Sequence, residues 1–201
     1  MNYRIFFALI TLPIFSCRHA KQEKEPAPFE PTTFIIQPFN GIDTNDVNYI
    51  SKELRKIIPS IKMNAAQPIP AVAYYAPRGR YRADSIIRML SAAAKANEVI
   101  LGLTLFDIST NKAENKDWGV MDLGYCPGKA CVVSSFRLSP QKRQQQFFKV
   151  AIHELGHTQG LAHCAIKTCL MRDAEGGNHL DEETDFCEKC KAVLVKKGWK
   201  L

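Results

Sequence analysis

No apolar run in this chain reaches the roughly 20 residues that a membrane-spanning helix requires. The best candidate, residues 5–15, is eleven residues long and follows a single positive charge at Arg4. Internal repeats are absent, which excludes solenoids and propellers. No basic cluster is interleaved with stacking aromatics, so the +7 formal charge reads as a solvated basic surface. That charge is +6 without residues 1–16, whose only charged side chain is Arg4. No nucleic-acid partner is expected.

What is present fits one soluble domain. The 201 residues are 46% hydrophobic and 23% charged. A chain this long buries roughly 70% of its unfolded surface, so metals and disulfides are additions to a true core. Residues 1–16 have the charged start and short apolar stretch of an export signal. Ile14-Phe15-Ser16-Cys17 resembles a bacterial lipobox, in which Cys17 would be acylated and become the new N-terminus. The expectation is an exported cell-envelope lipoprotein, anchored to membrane through Cys17. Residues 17–31, charged and Pro-rich, read as a flexible tether. Residues 32–201 then form the folded domain, expected to be monomeric.

Within that domain the periodicity predicts strands at 33–39, 71–75, 99–108, 118–123 and 130–136. Helices are predicted at 45–58, 81–94, from Pro140 to about 159, and at 186–197. Strands and helices alternating in this order indicate an α/β domain with one mixed sheet. Regular structure is thin after Gly160, and the last forty residues read as a small metal-dependent subdomain.

The chemistry concentrates in the long helix. His153-Glu154-Leu155-Gly156-His157 places two imidazoles one turn apart on the same face, with Glu154 set to the side. Two helix histidines alone could merely pack or face solvent. Gly160, however, can end the helix in a left-handed conformation, and His163 follows three residues later as a third ligand. Three imidazoles leave one position of a tetrahedral zinc for water, the arrangement of a catalytic site. Glu154 is then placed to take a proton from that water.

Six cysteines follow Cys17. Cys164, Cys169, Cys187 and Cys190 form two close pairs that suit a tetrahedral structural zinc; two disulfides are the competing arrangement for an exported protein. Cys126 and Cys131 flank a Pro-Gly turn, either as a small-loop disulfide or as free thiols. A redox role for Cys187-x-x-Cys190 lacks the strand-to-helix setting such motifs need.

The string HELGHTQGLAHC, followed by Cys169-Leu170-Met171 and by Cys187-Glu188-Lys189-Cys190, resembles the archaemetzincin family of zinc peptidases, a branch of the metzincins. Fifteen residues separate Met171 from Cys187, two fewer than is usual there. The resemblance implies an α/β (α+β-like) zincin: a mixed, mostly parallel sheet with an antiparallel edge strand, a long active-site helix, and a Cys-rich C-terminal subdomain. It implies two zinc ions per chain. His153, His157 and His163 would hold the catalytic one, and Cys164, Cys169, Cys187 and Cys190 the structural one. Glu154 would serve as base and acid, and Met171 as the methionine beneath the metal. Substrates would be peptides or proteins lying along an edge strand, for which residues 118–123 are the candidate. The alternative is a catalytically weak, zinc-stabilised, peptide-binding surface lipoprotein.

Overall fold

A computed structural model describes residues 32–201. The signal, the tether and Cys17 lie outside the described residues. Thr33–Pro38 (β1) leads into Thr44–Ile57 (α1), a helix whose Val47, Ile50 and Leu54 recur on one buried face. Asp43 caps it, its carboxylate accepting the Asn45 amide at 2.8 Å. Next come the short strand Ile61–Met63 (β2), the pair Tyr74–Tyr75 (β3) and Arg80–Arg82 (β4), and the helix Ala83–Ala93 (α2). Glu98–Thr104 (β5), Ile108–Lys112 (β6), Asn115–Val120 (β7), Asp122–Gly124 (β8) and Ala130–Ser134 (β9) precede the long helix Arg143–Thr158 (α3) and the terminal helix Glu188–Lys196 (α4).

Two sheets form, where the sequence suggests one. The first has the order β2-β1-β5-β9-β8, parallel except for β8, which runs antiparallel to β9 at the edge. The second, β3-β4-β6-β7, is smaller. The extra sheet explains most boundary differences. Residues 81 and 82 join β4, where they pair with Ile108 and Ser109, instead of opening α2. The expected strand 99–108 breaks after Thr104, whose hydroxyl accepts the Phe106 amide at 3.1 Å, and Ile108 begins a strand of the other sheet. Residues 118–123 divide at Met121 between β7 and β8 for the same reason. Residues 71–73 form a 3-10 turn, leaving only two strand residues of the expected five. β2, with one buried side chain, carries no legible alternation.

The central strands of the first sheet are buried on both faces, as parallel strands between helices must be. Phe34, Ile36, Leu101, Leu103 and Val133 face α1 and α3; Ile35, Ile100 and Val132 face α2. Helix α3 is seated by Phe147, Val150, Ala151 and Leu155, all fully buried, whereas Phe148 is only partly covered. Its start lies at Arg143, past the Pro140 turn, where the Arg143 guanidinium meets the buried carboxylate of Asp46 at 2.9 Å. The C-terminal segment returns to this layer: Trp199 packs edge-on against Phe34 and Phe186, and the Lys200 amide bonds the Ile57 carbonyl at 2.8 Å.

Candidate active site and cysteine cluster

Helix α3 ends one residue past His157. Gly160, at φ +95°, reverses the chain, and the Leu161 amide returns to the Gly156 carbonyl at 3.1 Å. This turn carries His163 back to the helix, so that the three histidines converge with ligating nitrogens within 4.8 Å of one another. Each ring is held from behind. Nδ1 of His153 donates to the Leu170 carbonyl at 2.6 Å, and Nδ1 of His157 to the Leu161 carbonyl at 2.7 Å. Nδ1 of His163 faces the Asp173 carboxylate at 3.2 Å. An imidazole whose Nδ1 carries the proton keeps its lone pair on Nε2, the form a metal binds. Burial, reinforced by His157, lowers the His153 pKa to about 3, and burial likewise lowers that of His157. Both rings are neutral at pH 7 and ready to ligate.

Glu154 is 3% exposed, and its Oε2 has no hydrogen-bond partner. Its Oε1 lies 3.9 Å from Nε2 of His153. A buried carboxylate oxygen without a partner is expensive unless something polar occupies the space before it. Burial first, then the nearby Asp122, raises its pKa. Asp122 is itself pushed to about 7, by burial and then by Asp173. The orphaned carboxylate oxygen next to the histidine cluster fits a metal-bound water. The residue set therefore fits zinc.

Met171 is fully buried beneath the histidines. Its sulfur occupies the space left by Gly156, where a Cβ would meet it at 2.6 Å. The H-E-x-x-H glycine is thus the seat of the methionine.

Four sulfurs, those of Cys164, Cys169, Cys187 and Cys190, also lie within 4.8 Å of one another. The Cys164–Cys187 and Cys169–Cys190 separations are both 3.8 Å. A tetrahedral zinc with Zn–S bonds of about 2.3 Å sets sulfurs about 3.8 Å apart, whereas a disulfide needs about 2.05 Å. The cluster has the metal spacing, and the competing two-disulfide arrangement is not formed. Backbone amides of Met171 and Cys187 point at the Cys169 sulfur from 3.5 and 3.3 Å, and the Cys190 amide draws the Cys187 pKa down to about 7. The Cys126–Cys131 disulfide is likewise not formed. Cys126 is exposed, its thiol donating to the Leu161 carbonyl at 3.2 Å, while Cys131 is buried within β9.

A cleft of about 500 Å³ opens beside His153 and His163, between β7–β8 and residues 172–180. The free edge next to the histidine helix is β8, not the whole of 118–123; Trp118 lines the cleft from the other sheet. Asp173, Asp122, Gly124, Glu183 and the two carbonyls behind the rings escape a reading of the sequence. Only Asp173 leaves a trace there, two residues after Met171.

The sequence profile described as peptidase family M54 matches residues 43–196. An archaemetzincin of Methanopyrus kandleri is 32% identical over 65% of this chain and 76% of its own. One from Archaeoglobus fulgidus is 31% identical over 79% of this chain and 96% of its own. The crystal structure of an Archaeoglobus fulgidus archaemetzincin, complexed with malonate, superposes with a TM-score of 0.70 at 29% identity, covering 81% of this chain and 99% of that one. The family match, the relatives and the shared fold place the chain in peptidase family M54, the archaemetzincins, as a zinc metallopeptidase.

Proposed function

We propose that the chain hydrolyses peptide bonds at the three-histidine site, with Glu154 as general base and then general acid. The observation that carries this reading is the unpartnered Oε2 of Glu154, buried beside three imidazoles whose Nδ1 atoms are all engaged. A zinc ion held by His153, His157 and His163 would supply a Lewis acid and lower the pKa of its water toward about 7. Glu154 would accept a proton from the attacking water and return it to the departing amine nitrogen. The outer edge of β8 offers backbone groups to an extended substrate. Cys164, Cys169, Cys187 and Cys190 would hold a second zinc, giving two ions per chain, and Cys164, the neighbour of His163 in sequence, would tie the segment carrying that ligand to the cysteine cluster.

Retention of Glu154 favours catalysis over a surface protein that only binds peptides, since a structural histidine site has no need of that carboxylate. Glu154→Gln keeps the size of the side chain and removes the proton acceptor. The variant should keep its zinc and lose peptide hydrolysis by a factor of at least about 10². Unchanged turnover, in a preparation free of other proteases, would remove Glu154 from the role. The export reading rests on Arg4, the apolar residues 5–15 and Cys17. Mass spectrometry of the native N-terminus should find Cys17 acylated, and an intact Met1 would overturn it.

A further inference from the structure

Beside the histidines, the cleft floor combines apolar walls with a carboxylate one of whose oxygens has no hydrogen-bond partner. Val150 is fully buried and Leu180 is 6% exposed; both line the cleft, as does the half-exposed Trp118 at its rim. Glu183 is 3% exposed, lines the same cleft, and its Oε2 has no hydrogen-bond partner. Asp122 lines it from β8.

The cations nearby are committed elsewhere. Arg172 pairs with Glu182 at 2.6 Å, outside the floor, and Arg137 with Asp107 at 2.7 Å. Lys112 sits over the Trp118 ring at 5.2 Å. Lys149 spends its ammonium on the backbone carbonyls of Leu180 and Glu183, both at 2.6 Å. Of the other acids on the cleft, Asp173 faces His163 and Glu175 is exposed to solvent. Glu183 and Asp122 are therefore the less exposed acids left to meet a ligand.

We infer that this cleft is a specificity pocket for a cationic side chain, lysine or arginine, flanking the scissile bond, with Glu183 as the recognising residue. The inference rests on the peptidase reading above. A long aliphatic stem lies against Val150, Leu180 and Trp118, and its charged head reaches the buried carboxylate, so a single side chain satisfies both surfaces. Burial holds Glu183 at a pKa of about 7 despite the pull of Lys149 and Arg172, and an arriving cation would restore its charge. A site with a buried, unpaired acceptor discriminates strongly against ligands that cannot fill it.

The test uses zinc-loaded protein and peptide pairs that differ at one position, lysine against norleucine and arginine against citrulline, placed in turn on either side of the scissile bond. Wild type should favour the cationic member at least about tenfold in kcat/KM at one of the two positions. In Glu183→Gln that ratio should fall toward one, while Glu183→Asp should keep part of it. A wild-type ratio near one at both positions overturns the pocket, and so does a ratio that Glu183→Gln leaves unchanged. Calorimetry of the same peptides on Glu154→Gln protein separates this from the peptidase reading. Cationic preference in binding, without cleavage by wild type, would sink the hydrolysis and keep the pocket. Cleavage without preference would do the reverse, and absence of both would end both. Should Glu183→Gln fail to fold, the wild-type ratio and Glu183→Asp still decide.

Discussion

A Cβ on Gly124 would collide with Oε2 of Glu154. The space that strand β8 leaves empty is the space in which the carboxylate rests. The strand's missing side chain and the helix's acid are thus one arrangement, made by two elements thirty residues apart in the chain.

The substitution Gly124→Ala should therefore move Glu154 out of its seat without disturbing the histidines. We expect kcat/KM to fall at least about tenfold with zinc content unchanged, and stability to drop by about 1–3 kcal/mol from the overpacking. Metal analysis beside peptide kinetics checks it. Full activity in the alanine variant would mean that the carboxylate has another productive position.

Asp173 stands behind His163 as Leu170 and Leu161 stand behind the other two rings. Asp173→Ala should weaken zinc at the histidine site by about 10–100-fold, the usual effect of removing a group that orients a ligand. Competition with a chromophoric chelator measures this. Zinc at the four cysteines should be unaffected, so one of two ions should become labile.

Chelation of the wild type should proceed in two stages. Three histidines would leave a zinc one open coordination position, so that site should empty first, with loss of activity but little change in fold. Removal of the second ion should lower the melting temperature, because four thiols would lose the metal that pairs them. A single-step loss of both ions would contradict the separation of the sites.

In the metal-free protein, His153 should make stability depend on pH. Its folded pKa is about 3, against an ordinary value of 6.5, so between these values the unfolded chain binds the extra proton. Its contribution is complete above about 6.5 and is lost as pH falls through that window, at up to about 1.4 kcal/mol per pH unit. Denaturation of metal-free wild type and His153→Gln at pH 7, 6 and 5 should show a steeper loss for wild type. Parallel curves would refute it.

The histidine and cysteine groupings were legible because they are local. His153, His157 and Gly160 obey helix geometry, and the cysteine pairs are close in sequence. The long helix, the mostly parallel sheet and the antiparallel edge followed from periodicity and from the family resemblance. Hidden from the sequence were contacts whose partners are distant or carry no side chain. The backbone carbonyls of Leu170 and Leu161 have no letter of their own. Gly124 reads as a turn residue until the helix is laid beside it, and Glu183 reads as one surface acid among many until its burial is known. The second sheet was missed because β3 and β4 have only two or three residues each, too few for an alternating pattern.

The groups that orient the three rings come from Leu161, Leu170 and Asp173, and the methionine beneath them is Met171. All lie between the first histidine of α3 and the start of the final helix. This gives the centre a definite portability. Grafting the five-residue helical motif onto another scaffold would transfer two ligands with nothing to fix their tautomers. Moving residues 153–190 as a block would carry the ligands, their hydrogen-bond acceptors and the cysteine staple together. Left behind would be the strand whose glycine makes room for Glu154 and the buried residues Phe147, Val150 and Ala151 that seat the helix, and a host scaffold would have to offer both itself.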